Sequence, residues 1–243
     1  MNGTNGGPPS FPAALASREL ESGLETGIAL ARAGELCSQL EAWPPGAGTN
    51  RAHLLLELAG AYLDGGEPGQ ALAPADEAFD TFVAARQWEP AVRSARALYL
   101  ADADDSGSAL ADGPGIAALG QAIWLAVSMP VEPELTLAVL QHLIDEVPEE
   151  ADGAAVAAAT AGYVVDLRCP DDDTLQLFAG RMLADVARRH SAVTSQDEFE
   201  AWVTRLELND PGRFLVRLRN VVDVLVQDAW RFDRDAVRAS MPE

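Results

Sequence analysis

Apolar residues in this 243-residue chain recur at helical spacing, and proline or glycine interrupts the pattern wherever a helix cannot continue. From Leu15 through Leu20, Leu24, Ile28, Leu36 and Leu40, the steps keep one face apolar. Gly23, Gly27 and Gly34 weaken that stretch, so residues 13–43 predict one long helix or two. A loop at 44–50 ends in Thr49 or Asn50 as a helix cap. The next helix, over 51–64, stops at Gly65 and Gly66. Its partner lies within 68–86, where Pro74 predicts a late start or a kink, because an interior proline removes a backbone hydrogen bond.

Further helical segments follow at 89–102, 116–129, 133–147, 154–167 and 174–190. Pro130 and Pro148 stop two of them, and the run Asp171, Asp172, Asp173 supplies a cap for the last. Ser195 and Glu198 match the capping-box pattern and open a helix to about residue 208. Asp210 followed by Pro211 opens the last long helix, which the pattern extends to Trp230. A short turn covers 234–240. The stretch 214–226 alternates enough to resemble a strand, but its length and the placement of Phe214, Leu218, Val222 and Val226 favour a helix. The expected fold is all-α, with antiparallel hairpins stacked as a solenoid or a compact bundle. Residues 1–12, rich in Gly, Pro and Asn, are expected to be a disordered tail. Residues 13–243 then form a single domain, with a candidate subdivision near 168–173.

Charge narrows the function classes. The 17 basic residues are all arginine, against 38 acids, for a net charge of −21. Residues 1–170 hold 7 arginines and 24 acids, and between Arg96 and Arg168 there is no basic residue except His142. Such a surface repels nucleic-acid phosphates and anionic membranes, so neither is an expected partner. A protein partner with a basic or Arg-bearing segment fits better. No apolar run is long enough to span a bilayer, and the N-terminus lacks a basic region followed by an apolar core. The two cysteines, Cys37 and Cys169, form no Cys-x-x-Cys pair and read as reduced thiols in a cytoplasmic protein. The absence of lysine, with abundant Ala, Gly, Asp and Val, reflects a GC-rich genome.

One local pattern points to a family. Leu58, Ala59, Tyr62, Gly66, Ala71 and Ala78 fall where a tetratricopeptide repeat places its Leu, small residue, Tyr, Gly and two Ala. Residues 52–85 therefore resemble one such repeat. The match departs at Ala75, where a large aromatic is usual, and at Pro74. A shift of 34 residues brings Val92, Arg93 and Arg96 to the Leu, small and Tyr positions, which does not match. The resemblance implies two helices crossing at small side chains, Tyr62 filling the gap, and Gly66 in the turn. It also implies that the first helix lines a partner-binding groove, which assigns His53, Leu56, Gly60, Leu63 and Asp64 to that surface.

Motifs for chemistry are sparse. The run Asp102, Asp104, Ser106, Gly107 resembles the start of a calcium loop, yet Gly113 stands where the bidentate Glu belongs. His53, His142 and His190 are far apart and show no zinc-ligand spacing. His142, beside Leu140, Leu143 and Ile144, reads as a satisfied, partly buried residue. No Gly-x-Ser-x-Gly elbow or phosphate-cradling loop occurs, and without lysine there is no Schiff-base chemistry. No cofactor or metal is expected. In the C-terminal third, Arg213, Arg217 and Arg219, with Trp230, Arg231 and Phe232, read as a capping helix and aromatic pair folded onto the core. Those arginines could pair with acids of the same chain or of a second copy, which leaves homo-oligomerisation open. The sequence thus predicts a non-enzymatic interaction module. The rival is a carboxylate-dependent, divalent-metal-dependent helical enzyme, which requires several of Asp102, Asp104, Asp145, Glu149 and Asp166 to converge.

Overall fold

The computed structural model describes the backbone of residues 11–43, 48–106 and 113–239, and the side chains of 22–43, 48–102 and 113–239. Among these are eleven α-helices and no strand. They are α1 (Phe11–Glu41), α2 (Thr49–Asp64), α3 (Pro68–Ala84), α4 (Trp88–Ser106), α5 (Pro114–Ser128) and α6 (Pro133–Glu146). There follow α7 (Asp152–Arg168), α8 (Asp173–Ser191), α9 (Gln196–Arg205), α10 (Pro211–Val226) and α11 (Arg234–Ala239). The glycines of α1 do not divide it, so the single-helix alternative holds. Of the expected tail, residues 1–10 lie outside the described residues, and Phe11 and Pro12 already belong to α1.

From α1 to α8 each helix packs on the next. The even-numbered helices also touch in order, α2 on α4, α4 on α6 and α6 on α8. The odd-numbered ones make no comparable pairing among the described residues. On the odd face α10 lies across α5 and α7. Its stripe of Phe214, Leu218, Val222 and Val226 is buried there, as a four-residue spacing requires.

The connecting turns have a common design. Glu67 N–H donates to Tyr62 and Gly66 N–H to Leu63, with Gly66 left-handed at φ 69°. The same pair of bonds ends α3 at Arg86 and α9 at Glu207, both non-glycine residues at positive φ. Several boundaries differ from the sequence reading. Gly48, not Thr49 or Asn50, precedes α2, and neither side chain caps it. α3 begins at Pro68, where the missing N–H costs nothing, and runs through the buried Pro74 rather than starting there. α10 ends at Val226, four residues before Trp230, because Gln227 takes a positive φ of 48°. The next residues then cross α5, where the Arg231 N–H donates to the buried Gln121 Oε1 at 3.0 Å. Trp230 and Phe232 pack on Trp124, with ring centroids 6.3 and 5.4 Å away. Arg231 reaches Asp76 and Asp80 of α3, so the C-terminal arginine does pair with the acidic first part of the same chain.

The corner between α5 and α6 is held from α7. Pro130 ends α5 and leaves carbonyls near its C-terminus without helical donors. Arg168, at the end of α7, donates one terminal nitrogen to Ala126 and Val131 O, both at 2.9 Å, and the other to Val127 O at 2.9 Å. The fully buried Thr136 hydroxyl joins the same cluster, donating to the Ala126 or Glu132 carbonyl. Burial lowers the pKa of Arg168, the cost of holding a cation there. Replacing Arg168 with Met would take its donor from the Val127 and Val131 carbonyls and leave Ala126 only the Thr136 hydroxyl. A destabilisation of about 3–5 kcal/mol is expected in urea unfolding. Arg168→Lys should recover only part of it, because an ammonium lacks the planar fork. A loss under about 1 kcal/mol would mean that water replaces the guanidinium.

Candidate functional site

The five residues assigned to the partner surface do share one face of α2, as steps of three and four residues dictate. His53 and Asp64 are exposed, while Leu56, Gly60 and Leu63 are half-buried. His53 is not wholly free, since its ring stands edge-on to the buried Phe82 at 4.8 Å. Leu56 and Leu63 pack against the core. Gly60 and Asp64 open instead into a groove of about 660 Å³ between α1 and α2. From α1 the groove receives Glu25, Ile28, Ala29 and Arg32, and from α2 also Glu57 and Ala61. Nothing lies within 4 Å of where a Cβ on Gly60 would stand. Arg32 crosses to Glu57 at 2.9 Å, an exposed pair that fixes the groove's register more than its stability. Ile28 within the groove and Leu24 one turn away are 62% and 67% exposed. Sequence periodicity placed these two with Leu36 and Leu40 on one packed stripe, but α2 covers only the C-terminal part of α1. Tyr62 fills space as the repeat pattern implies, and its hydroxyl meets Cys37 Sγ of α1 at 3.4 Å. That contact, with burial, raises the tyrosine's pKa.

A second polar group lies on the even face, between α4 and α6. Arg96 Nε donates to His142 Nε2 at 3.0 Å, so Nε2 is the acceptor and the neutral ring carries its proton on Nδ1. The ring is tilted against Tyr99 at 5.0 Å, and Tyr99 donates to Glu146 Oε1 at 2.5 Å. Arg93, one turn before Arg96, bridges Glu89 and Glu132 at 2.9 and 3.3 Å. Burial pushes the Arg96 pKa down, and Arg93 adds like-charge repulsion. Burial likewise lowers His142, and Arg96 reinforces it against the opposing pull of Asp145 and Glu146. Tyr99 is raised well above its ordinary range by burial and by the bond to Glu146. Repeat matching counted Arg93 and Arg96 only as mismatches.

The third feature is a pocket of about 430 Å³ between α7, α8 and the start of α10. Ala158, Gly162 and Gly180 leave the space, and Tyr163, Asp166 and Asn209 rim it. Its walls come from segments distant in sequence, so no local motif signals it. His190, by contrast, is structural. Its Nδ1 accepts from Trp202 Nε1 at 3.2 Å, and its Nε2 lies 3.2 Å from the Asp152 carboxylate, which Arg217 also reaches at 2.7 Å.

The carboxylates proposed for metal chemistry are dispersed. Asp102 accepts the Gly115 N–H at 2.9 Å at the start of α5, Asp145 accepts from Gln141, and Glu149 lies in the α6–α7 connection. Among the described residues no three His, Cys, Asp or Glu side chains form a group able to hold a metal ion. Residues 107–112 of the calcium-like run, and the side chains of Asp104, Asp105 and Ser106, lie outside the described residues. No helix of the described residues is long and apolar enough to cross a membrane. No protein family, curated protein or solved structure matches the chain.

The lowered His142 pKa gives stability a direction with pH. Above about pH 6.5 the ring is neutral in both folded and unfolded chains. Below it the unfolded chain takes up a proton that the folded chain refuses until its own lower value is passed. Stability from this residue is therefore present above that pH and is lost as the pH falls, with a limiting slope of about 1.4 kcal/mol per pH unit. Urea unfolding at pH 7.5, 6.0 and 5.0 should show a shallower fall for His142→Gln than for the parent chain. Identical slopes would remove His142 from the linkage.

Proposed function

We propose that this chain is a non-enzymatic, cytoplasmic interaction module of the tetratricopeptide type. Its α1–α2 groove takes an amphipathic helical segment bearing arginine from another protein. The observation that carries this reading is the pairing of exposed Leu24 and Ile28 with the acidic rim of Glu25, Glu57 and Asp64. Exposed apolar side chains beside an open groove favour an apolar helix face, and the carboxylates favour arginine at its edges. The large acid excess of residues 1–170 extends the same preference outward, drawing cationic segments at a distance. The repeat reading is supported by the Gly66 turn joining α2 to α3, and by the fully buried Ala71 and Ala78 where the pattern requires small residues.

Two single substitutions test it. Ile28→Asp removes an apolar anchor, and Asp64→Arg reverses one charge on the rim. The immobilised parent chain, exposed to a lysate of its source cells, should retain a stoichiometric protein that both variants lose by tenfold or more. Raising salt from about 0.05 to 0.5 M should slow association more than it speeds dissociation. Retention of the same protein by both variants, or binding indifferent to salt, would overturn the groove and its electrostatics respectively.

A further inference from the structure

Among the described residues, the partly buried arginines other than Arg96 each reach an oxygen acceptor, and Arg96 does not. Arg51, Arg217, Arg231 and Arg234 are partly buried, and each reaches a carboxylate of another segment. Arg168 has carbonyl oxygens instead. Arg96 is half-buried on the even face, and its one acceptor is the neutral His142 nitrogen, bonded through Nε. Its two terminal nitrogens, with four N–H groups, have no acceptor among the described residues, and neither is sealed from solvent. The like charge of Arg93, one turn away on α4, acts on it.

This is an unusual place to leave a cation uncompensated, because acids surround it. Glu89 and Glu132 are committed to Arg93, Asp145 accepts from Gln141, and Glu146 accepts from Tyr99. Among the described residues, Glu89, Glu132 and Asp145 form no ion pair with Arg96. The His142 contact fixes the guanidinium at Nε, leaving its free edge pointing away from that bond. A planar edge of two terminal nitrogens matches two oxygens of one oxyanion.

We propose that Arg96 anchors an oxyanion-binding site between α4 and α6, with His142 as the residue that positions its guanidinium. The site takes a singly charged oxyanion group such as a carboxylate. The carboxylates of Glu89, Glu132, Asp145 and Glu146 nearby disfavour a second negative charge. The site is independent of the α1–α2 groove and stands whether or not that groove binds a helix.

The test is an NMR titration of the full chain with sodium acetate at constant ionic strength. The Arg96 Nε–H and the His142 ring are observed together. Saturable shifts at both, with a Kd on the order of 10 mM, are the expected result, and sulfate in its place should bind several-fold more weakly. Arg96→Gln should abolish the saturable shift of His142, and Arg96→Lys should weaken it at least fivefold, since it keeps the charge without the fork. Arg219→Gln, at an exposed arginine elsewhere, should leave it unchanged. Linear shifts of similar size on Arg96 and on exposed arginines such as Arg181 and Arg219 would overturn the site. Tighter binding of sulfate than acetate would overturn its preference for a single charge.

Discussion

A helix that ends inside a protein must find donors for its last carbonyls, and the α5–α6 corner meets that requirement with Arg168. The corner is covered by neighbouring helices, so water cannot do the work freely. One planar cation supplies several donors at once, and because it stands on α7 it also fixes α7 relative to α5 and α6. Both α8 and α10 pack on α7, so their placement inherits that registration. The arrangement costs the desolvation of a charge. The gain is a single geometry, since carbonyl dipoles around a fork tolerate little sliding.

Registration alone would not bring the helices close enough; small residues do that. From Ala154 to Ala161 every side chain of α7 is buried, and six of the eight are alanine. A helix buried on all sides, with such short side chains, allows α6, α8 and α10 to approach around it. Gly120 of α5 serves the same end against α10, where a Cβ would stand 2.5 Å from Val226 Cγ2. Helices packed this closely leave little apolar area per residue. The C-terminal crossing of Trp230 and Phe232 over Trp124 therefore adds bulk that the alanines lack.

The helices are legible in the sequence because their ends are. Ser195 with Glu198, Asp172, and Asp210 with Pro211 are local signals, and each caps the helix that follows. Misreadings occur where tertiary packing overrides local preference. Pro74 sits inside α3 because the surrounding helices hold it, and α10 stops at Gln227 because the chain must turn to reach Gln121. Site geometry is less legible for a related reason. Periodicity tells that Leu24 and Ile28 share a stripe with Leu36, but not that α2 fails to cover that end of it. Spacing puts His53, Leu56, Gly60, Leu63 and Asp64 on one face, yet only Gly60 and Asp64 open into the groove. The Arg96 environment is invisible in sequence, since it is defined by which acids turn elsewhere.

Charge in this chain works at two ranges that need not agree. Arginines drawn into ion pairs, such as Arg231 with Asp76 and Asp80 or Arg217 with Asp152, link segments far apart in the chain and neutralise acids locally. With the carboxylate side of each pair still exposed, these pairs add little stability, and their main effect is to fix which surfaces meet. The acids left over are concentrated in residues 1–170 and set a negative field within about 8 Å of the surface at physiological salt. Inside that field, a contact with Arg96 depends on short-range hydrogen bonds that a screened potential cannot supply or cancel. Net charge therefore governs which molecules approach, while the unpaired guanidinium governs which group is held once solvent has been displaced. The sign of the whole protein is a poor guide to the second step.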